Sequence, residues 1–208
     1  VALIATHTIG EPLDIVDDVL SLLAGLVVVH PDSFPAVLLD PHAHTVDSFN
    51  AFFADSELAE LFPRALALLA ALPLTPAHAA LLTGVDRALS ARTAPFVVRI
   101  VRKVAASPEA ALQLFRSRTL SAFAFLLASR APGVRLDALA TLHAALNACD
   151  VDARLEAGTA LLASGALSDA TVILAAGSPD EQARLVQLLR LLVLEEELHA
   201  HLFALGII

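Results

Sequence analysis

Two stretches near the C-terminal end of the chain repeat one another. TLSAFAFLLASRAPGVRLDALATLHAAL begins at Thr119, ALSDATVILAAGSPDEQARLVQLLRLLV begins at Ala166, and the two align without a gap. Each reads as a short apolar helix, a small-residue turn containing a proline (Pro132, Pro179), and a longer amphipathic helix. A unit that recurs roughly every 40 to 50 residues cannot bury its apolar face alone, so successive copies must stack to close a core. This restricts the chain to repeat architectures and favours binding of other macromolecules over chemistry.

Reading outward from the echo, five long helices show apolar residues at steps of three and four. They hold Ile15, Val19, Leu22, Leu23, Leu26 and Val27; then Leu58, Leu61, Ala65, Leu68, Leu69 and Leu72; then Phe96, Val97, Ile100, Val101 and Val104; then Leu136, Leu139, Leu142 and Leu146; then Leu185, Leu188, Leu189 and Leu192. Their starts fall near residues 14, 57, 95, 134 and 181. Two shorter elements lie between each pair. Pro31, Pro41, Pro73, Pro108, Pro132 and Pro179 fall at the breaks, where a missing N–H does no harm. Ser107 before Pro108 and Ser178 before Pro179 read as N-caps with proline at the first helical position.

The three-helix unit, its length and the phrase EAGTALLASGALSDATVILAAGSPDEQARLVQLLRLL resemble the armadillo repeat family, with two-helix HEAT repeats a close second. The resemblance implies an all-α, right-handed α-solenoid of about four to five armadillo-like three-helix repeats, a single domain over 1–208. The approximate repeats are 14–56, 57–94, 95–133, 134–180 and a partial 181–208. It further implies that the third helices line a concave groove for a partner segment. Armadillo proteins that read extended peptides carry Trp and, four residues on, Asn on those helices. Here His143 and Asn147 take the two positions, on one helix alone, since the chain has no Trp and only one other Asn, Asn50. A repeated Asn ladder of the nuclear-import type is therefore not expected.

Composition agrees with an all-helical chain. Hydrophobic residues make up 57% of the 208, above the usual 45–50% or so, and most of the excess is Ala and Leu, strong helix formers. Mean hydropathy is +0.74, which raises the question of a membrane span. The longest run without Asp, Glu, Lys or Arg, 65–85, contains Pro73, Pro76 and His78. It reads as two helices joined by a Leu-Pro-Leu-Thr-Pro turn, not as the roughly 20 apolar residues a span requires. The single cysteine, Cys149, allows no internal disulfide and suits a reducing, cytoplasmic setting. The chain contains no Met and opens with VALIATHTI, so it is expected to be a segment of a longer protein.

Charge is unevenly spread. Residues 1–60 hold ten acidic side chains and no Lys or Arg, residues 87–135 hold nine basic side chains and only Glu109, and residues 136–208 hold ten acidic side chains and three Arg. A basic belt thus interrupts an acidic chain. Arg99, Arg102 and Lys103 lie opposite the apolar face of the third long helix, and Arg92, Arg116, Arg118, Arg130 and Arg135 extend the belt. Opposite charge attracts an acidic or phosphorylated protein segment. Arg92, Arg99, Arg102, Lys103, Arg135, His143 and Asn147 are accordingly the candidate partner-binding residues. Nucleic acid is disfavoured, because the flanking acidic segments repel phosphate and no Tyr or Trp is present for base stacking.

No glycine-rich phosphate loop, Cys-x-x-Cys, His-Glu-x-x-His or Gly-x-Ser-x-Gly occurs, so neither catalysis nor a cofactor is expected. The histidines of Pro41-His42-Ala43-His44 and of Glu195 to His201 lack the second matching helix of a carboxylate-bridged metal site, and no metal is expected. The function that follows is a non-catalytic scaffold or adaptor. The alternatives are a permanent architectural subunit of a large assembly and an armadillo-type Hsp70 nucleotide-exchange co-chaperone.

Overall fold

The structure, a computed structural model, describes residues 13–90, 92–117, 119–129 and 133–207, in which every regular element is helical and no strand occurs. The chain divides into two compact units, Val1–Lys103 and Val104–Ile208. None of the helices among the described residues is long and apolar enough to cross a membrane. The uncharged run 65–85 breaks at Leu72-Pro73-Leu74-Thr75, as its prolines require.

The first unit contains α1 (Leu13–Val29), α2 (Phe34–Leu38), α3 (Thr45–Ala54), α4 (Phe62–Ala71), α5 (Leu82–Val85) and α6 (Ala94–Val104), whose last residue crosses the division. Short 3-10 turns at Pro41–Ala43, Ser56–Leu61, Pro76–Leu81 and Asp86–Ala88 connect them. Pro63 explains why the second long helix begins later than its apolar pattern, since proline sits comfortably only in a first turn. Helix α1 packs on α4, and the guanidinium of Arg64 in the first turn of α4 donates to the carboxylate of Asp17 on α1. The core beneath is aromatic. Phe52 and Phe53 of α3 meet Phe62 of α4 with ring centroids 5.7 and 5.3 Å apart, and Phe49 stacks on Phe53 at 6.1 Å.

Helix α3 also lies against α5, and Gly84 makes that approach possible. A Cβ there would stand 2.5 Å from Asn50 Oδ1 and 3.1 Å from the Asn50 Cα. The Asn50 amide cannot yield freely, because its Nδ2 donates to the Ala80 carbonyl at 3.0 Å. Gly84→Ala is therefore expected to lower stability by about 1–3 kcal/mol, the usual cost of overpacking. Thermal unfolding followed by circular dichroism measures it, and an unchanged midpoint would contradict the close approach.

The second unit contains α7 (Pro108–Arg116), α8 (Thr119–Leu127), α9 (Val134–Ala148), α10 (Val151–Ala163), α11 (Ala170–Ala176), α12 (Pro179–Val193) and α13 (His199–Ala204). Helix α7 packs on α10, and α9 packs on α12. Both expected N-caps form. Ser107 Oγ accepts the Ala110 N–H at 3.3 Å, and Ser178 Oγ accepts the Glu181 N–H while the Glu181 carboxylate accepts the Ser178 N–H at 2.8 Å. Leu139, Leu142 and Leu146 of α9 and Leu185, Leu188 and Leu192 of α12 are fully buried. Pro132, Arg118 and Arg130 lie outside the described residues.

Three ion pairs link helices a repeat length apart in sequence: Asp17 with Arg64, Arg116 with Glu156, and Arg135 with Glu181. In the third, both partners sit in the opening turns of their helices, α9 and α12, which brings those two N-terminal ends together.

Candidate partner-binding surface

The basic belt does not survive as a row of free cations. In the first unit, Lys103 Nζ donates to the carbonyls of Ala70 at 2.6 Å and Leu72 at 2.7 Å. These carbonyls end α4, where orphan acceptors and the negative end of the helix dipole welcome a cation. Burial, and then the neighbouring Arg99 charge, pull the Lys103 ammonium below its ordinary pKa. Arg99 and Arg102 instead point away from the core on the exposed side of α6, with Val97, Ile100, Val101 and Val104 fully buried opposite. Arg92 is exposed in the turn before α6. None of these three arginines has a carboxylate partner among the described residues.

In the second unit, Arg116 and Arg135 are both engaged. Arg116 meets Glu156 through Nε at 2.5 Å and Nη2 at 2.8 Å, in solvent. Arg135 forms the same fork on Glu181, at 2.7 and 2.9 Å, with side-chain exposures of only 23% and 12%. A planar guanidinium matches both carboxylate oxygens at once. The cations that the sequence groups together are thus divided by the structure: Arg92, Arg99 and Arg102 remain available, while Lys103 and Arg135 already serve internal contacts.

His143 and Asn147 share a face of α9. Asn147 is exposed, and its side chain has no hydrogen-bond partner among the described residues; it does not cap the helix end. His143 is half-buried, and its imidazole is held below its ordinary pKa by burial and then by Arg184. It lines a groove of about 590 Å³ with Leu174, Val186, Leu189, Arg190 and Leu194. Two basic residues of α12 outside the expected site lie at or near this groove, Arg190 in its lining and Arg184 close to His143. Arg184 Nη1 donates to Gln187 Oε1 at 2.9 Å, and Arg190 is exposed without a carboxylate partner among the described residues. Their signal was available: they are the two basic side chains of a helix in a strongly acidic segment.

Cys149 is buried at the end of α9, where its Sγ lies 3.5 Å from the Ala145 carbonyl and burial raises its thiol pKa. A thiol so placed is protonated and behaves as a small hydrophobe. His42 and His44 are exposed, and His199 Nε2 lies 2.8 Å from the Val193 carbonyl. No three His, Cys, Asp or Glu side chains group together as metal ligands among the described residues. Geometrically, then, the surface offers uncommitted cations on α6 and an open apolar groove beside α12. Comparison with protein-family models, curated proteins and solved structures finds no match to this chain.

Proposed function

We propose that the chain is a non-catalytic protein-interaction module, an armadillo-like array of helix triplets that docks an acidic or phosphorylated segment of a partner protein. One observation carries the docking site. On α6, Arg99 and Arg102 stand exposed, with no carboxylate partner among the described residues, over a fully buried aliphatic face, while Arg116 and Arg135 of the same belt are already matched by carboxylates. Unspent charge on a rigid helix steers and orients an oppositely charged partner. The repeat reading is supported by the packing of α7 on α10 and of α9 on α12 in the second unit and by ion pairs between successive long helices. A reducing, cytoplasmic setting completes the proposal, on the support of a chain that holds one cysteine.

The test is Arg99→Glu/Arg102→Glu in the full chain, leaving Lys103 to hold the end of α4. The variant should keep its circular dichroism and lose a salt-sensitive protein partner on copurification, with affinity reduced about tenfold or more. Retention of every partner by the folded variant would rule out this face.

A second reading, a permanent architectural subunit, is favoured by the exposed aliphatics of α1. Leu22, Val28 and Val29 are 63%, 79% and 68% exposed, where exposed apolar clusters mark contact sites. That reading expects the chain to purify stably only with its neighbours.

A further inference from the structure

The groove beside α12 carries a different ligand chemistry from the α6 face, and it does not depend on it. Val186, Arg190, Val193 and Leu194 recur at steps of four, three and one, which places them along one side of the helix. Val186, Val193 and Leu194 are 46%, 38% and 69% exposed. From Val186 to Leu194 the stripe runs about 12 Å, or a little over two helical turns. Arg190 stands in its middle. Residues 136–208 contain ten acidic side chains, yet neither Arg184 nor Arg190 is paired with any of them among the described residues. Arg154, the third basic residue of this segment, is turned inward to the Cys149 carbonyl.

We propose that this groove binds an amphipathic helix of a partner protein, with aliphatic side chains against Val186, Val193 and Leu194 and a carboxylate on Arg190. An apolar stripe running along a helix accepts anchors spaced by one or two turns of a partner helix. A cation in the middle of the stripe selects an acidic residue between those anchors. The choice of occupant follows from charge. A second copy docking by two-fold symmetry would bring Arg190 toward its own equivalent. A broad anionic membrane surface would meet the many acidic side chains of this segment, whereas one carboxylate set between apolar anchors meets Arg190.

A phage-displayed library of random peptides about 15 residues long, some four helical turns, is panned on the full chain. The enriched sequences should carry aliphatics at helical spacing with Asp or Glu between them. A synthetic peptide from that set should bind about tenfold more weakly to Arg190→Glu, and replacing its acidic residue by Lys should restore the loss. Val193→Asp should also weaken it, while Arg99→Glu/Arg102→Glu should leave it unchanged. Circular dichroism confirms that each variant is folded. Enrichment of basic peptides, no enrichment, or binding indifferent to Arg190→Glu would overturn the proposal. So would peptides that depend on Arg99 and Arg102, which would assign the binding to α6 instead. A dimer in analytical ultracentrifugation abolished by Val193→Asp, or flotation with phosphatidylserine vesicles abolished by Arg190→Glu, would give the groove to another occupant.

Discussion

Phe52→Ala is expected to destabilise the first unit by about 3–5 kcal/mol, the range for emptying an aromatic core position. Phe52 is 1% exposed and sits edge-on to Phe53, with centroids 5.5 Å apart and planes at 77°, and against Phe62 from α4. Removing the ring forfeits its burial and both aromatic contacts, and leaves a cavity between α3 and α4, which are each also held to a further helix by the Gly84 approach and the Asp17–Arg64 pair. Collapse around such a hole is limited, because Phe49, Phe53 and Phe62 are themselves packed in place. The chain has no Trp or Tyr, so urea unfolding must be followed by far-UV circular dichroism. Hydrogen exchange then locates the change, which should fall in α3 and α4. A loss below about 1 kcal/mol would show that the phenylalanines are not one packed cluster.

The second large effect concerns acid. Glu181 accepts two hydrogen bonds from Arg135 and one from the Ser178 N–H. The Arg135 fork is the main cause that holds its carboxyl at about 2 against an ordinary 4.5, with burial opposing and Ser178 assisting. A carboxyl whose pKa is lower in the folded chain stabilises the fold at pH values above its unfolded value. That contribution is lost as pH falls from about 4.5 toward 2, and it amounts to up to about 3 kcal/mol. Glu181→Gln should therefore cost most of this at neutral pH and almost nothing near pH 2. Urea titrations of both proteins across this range should converge at the acid end; parallel curves would refute the linkage. Arg116 and Glu156 make the same fork in the open, where water and salt screen it, so Glu156→Gln should change stability far less.

The contrast between α1 and α6 shows how far periodicity reaches. On α6, charged residues at 99, 102 and 103 mark the outer side, and four of the five apolar positions expected to be inward, Val97, Ile100, Val101 and Val104, are fully buried; Phe96 is half-buried. On α1, the expected face was Ile15, Val19, Leu22, Leu23, Leu26 and Val27. The buried residues are Val16, Leu20, Leu23 and Val27, and Ile15 and Leu22 are 42% and 63% exposed. That helix is apolar around most of its circumference, so spacing alone does not choose a side; packing against α4 does. Similarly, among the described residues of VDRALSAR, between the second and third long helices, Val85 ends α5 and Asp86–Ala88 form a 3-10 turn, in place of a separate helix. The candidate site divides in the same way. Exposure of Arg92, Arg99 and Arg102 follows from local pattern, whereas the commitment of Lys103 to carbonyls more than 30 residues away could not be read from it.

By itself, the sequence determined that the chain is helical, where most helices break, and which serines cap them. These outcomes depend on propensity, proline and hydrogen bonds within a few residues. It also placed Leu139, Leu142 and Leu146 of α9 and Leu185, Leu188, Leu189 and Leu192 of α12 inward, with Leu136 only half-buried, because steps of three and four define a single side when polar residues fill the other. Only the tertiary structure decided which arginines remain free and that a groove opens beside α12. An ion pair such as Arg135–Glu181 joins residues 46 apart, and nothing local distinguishes Arg135 from Arg99 until α12 brings a carboxylate to one and leaves the other in solvent.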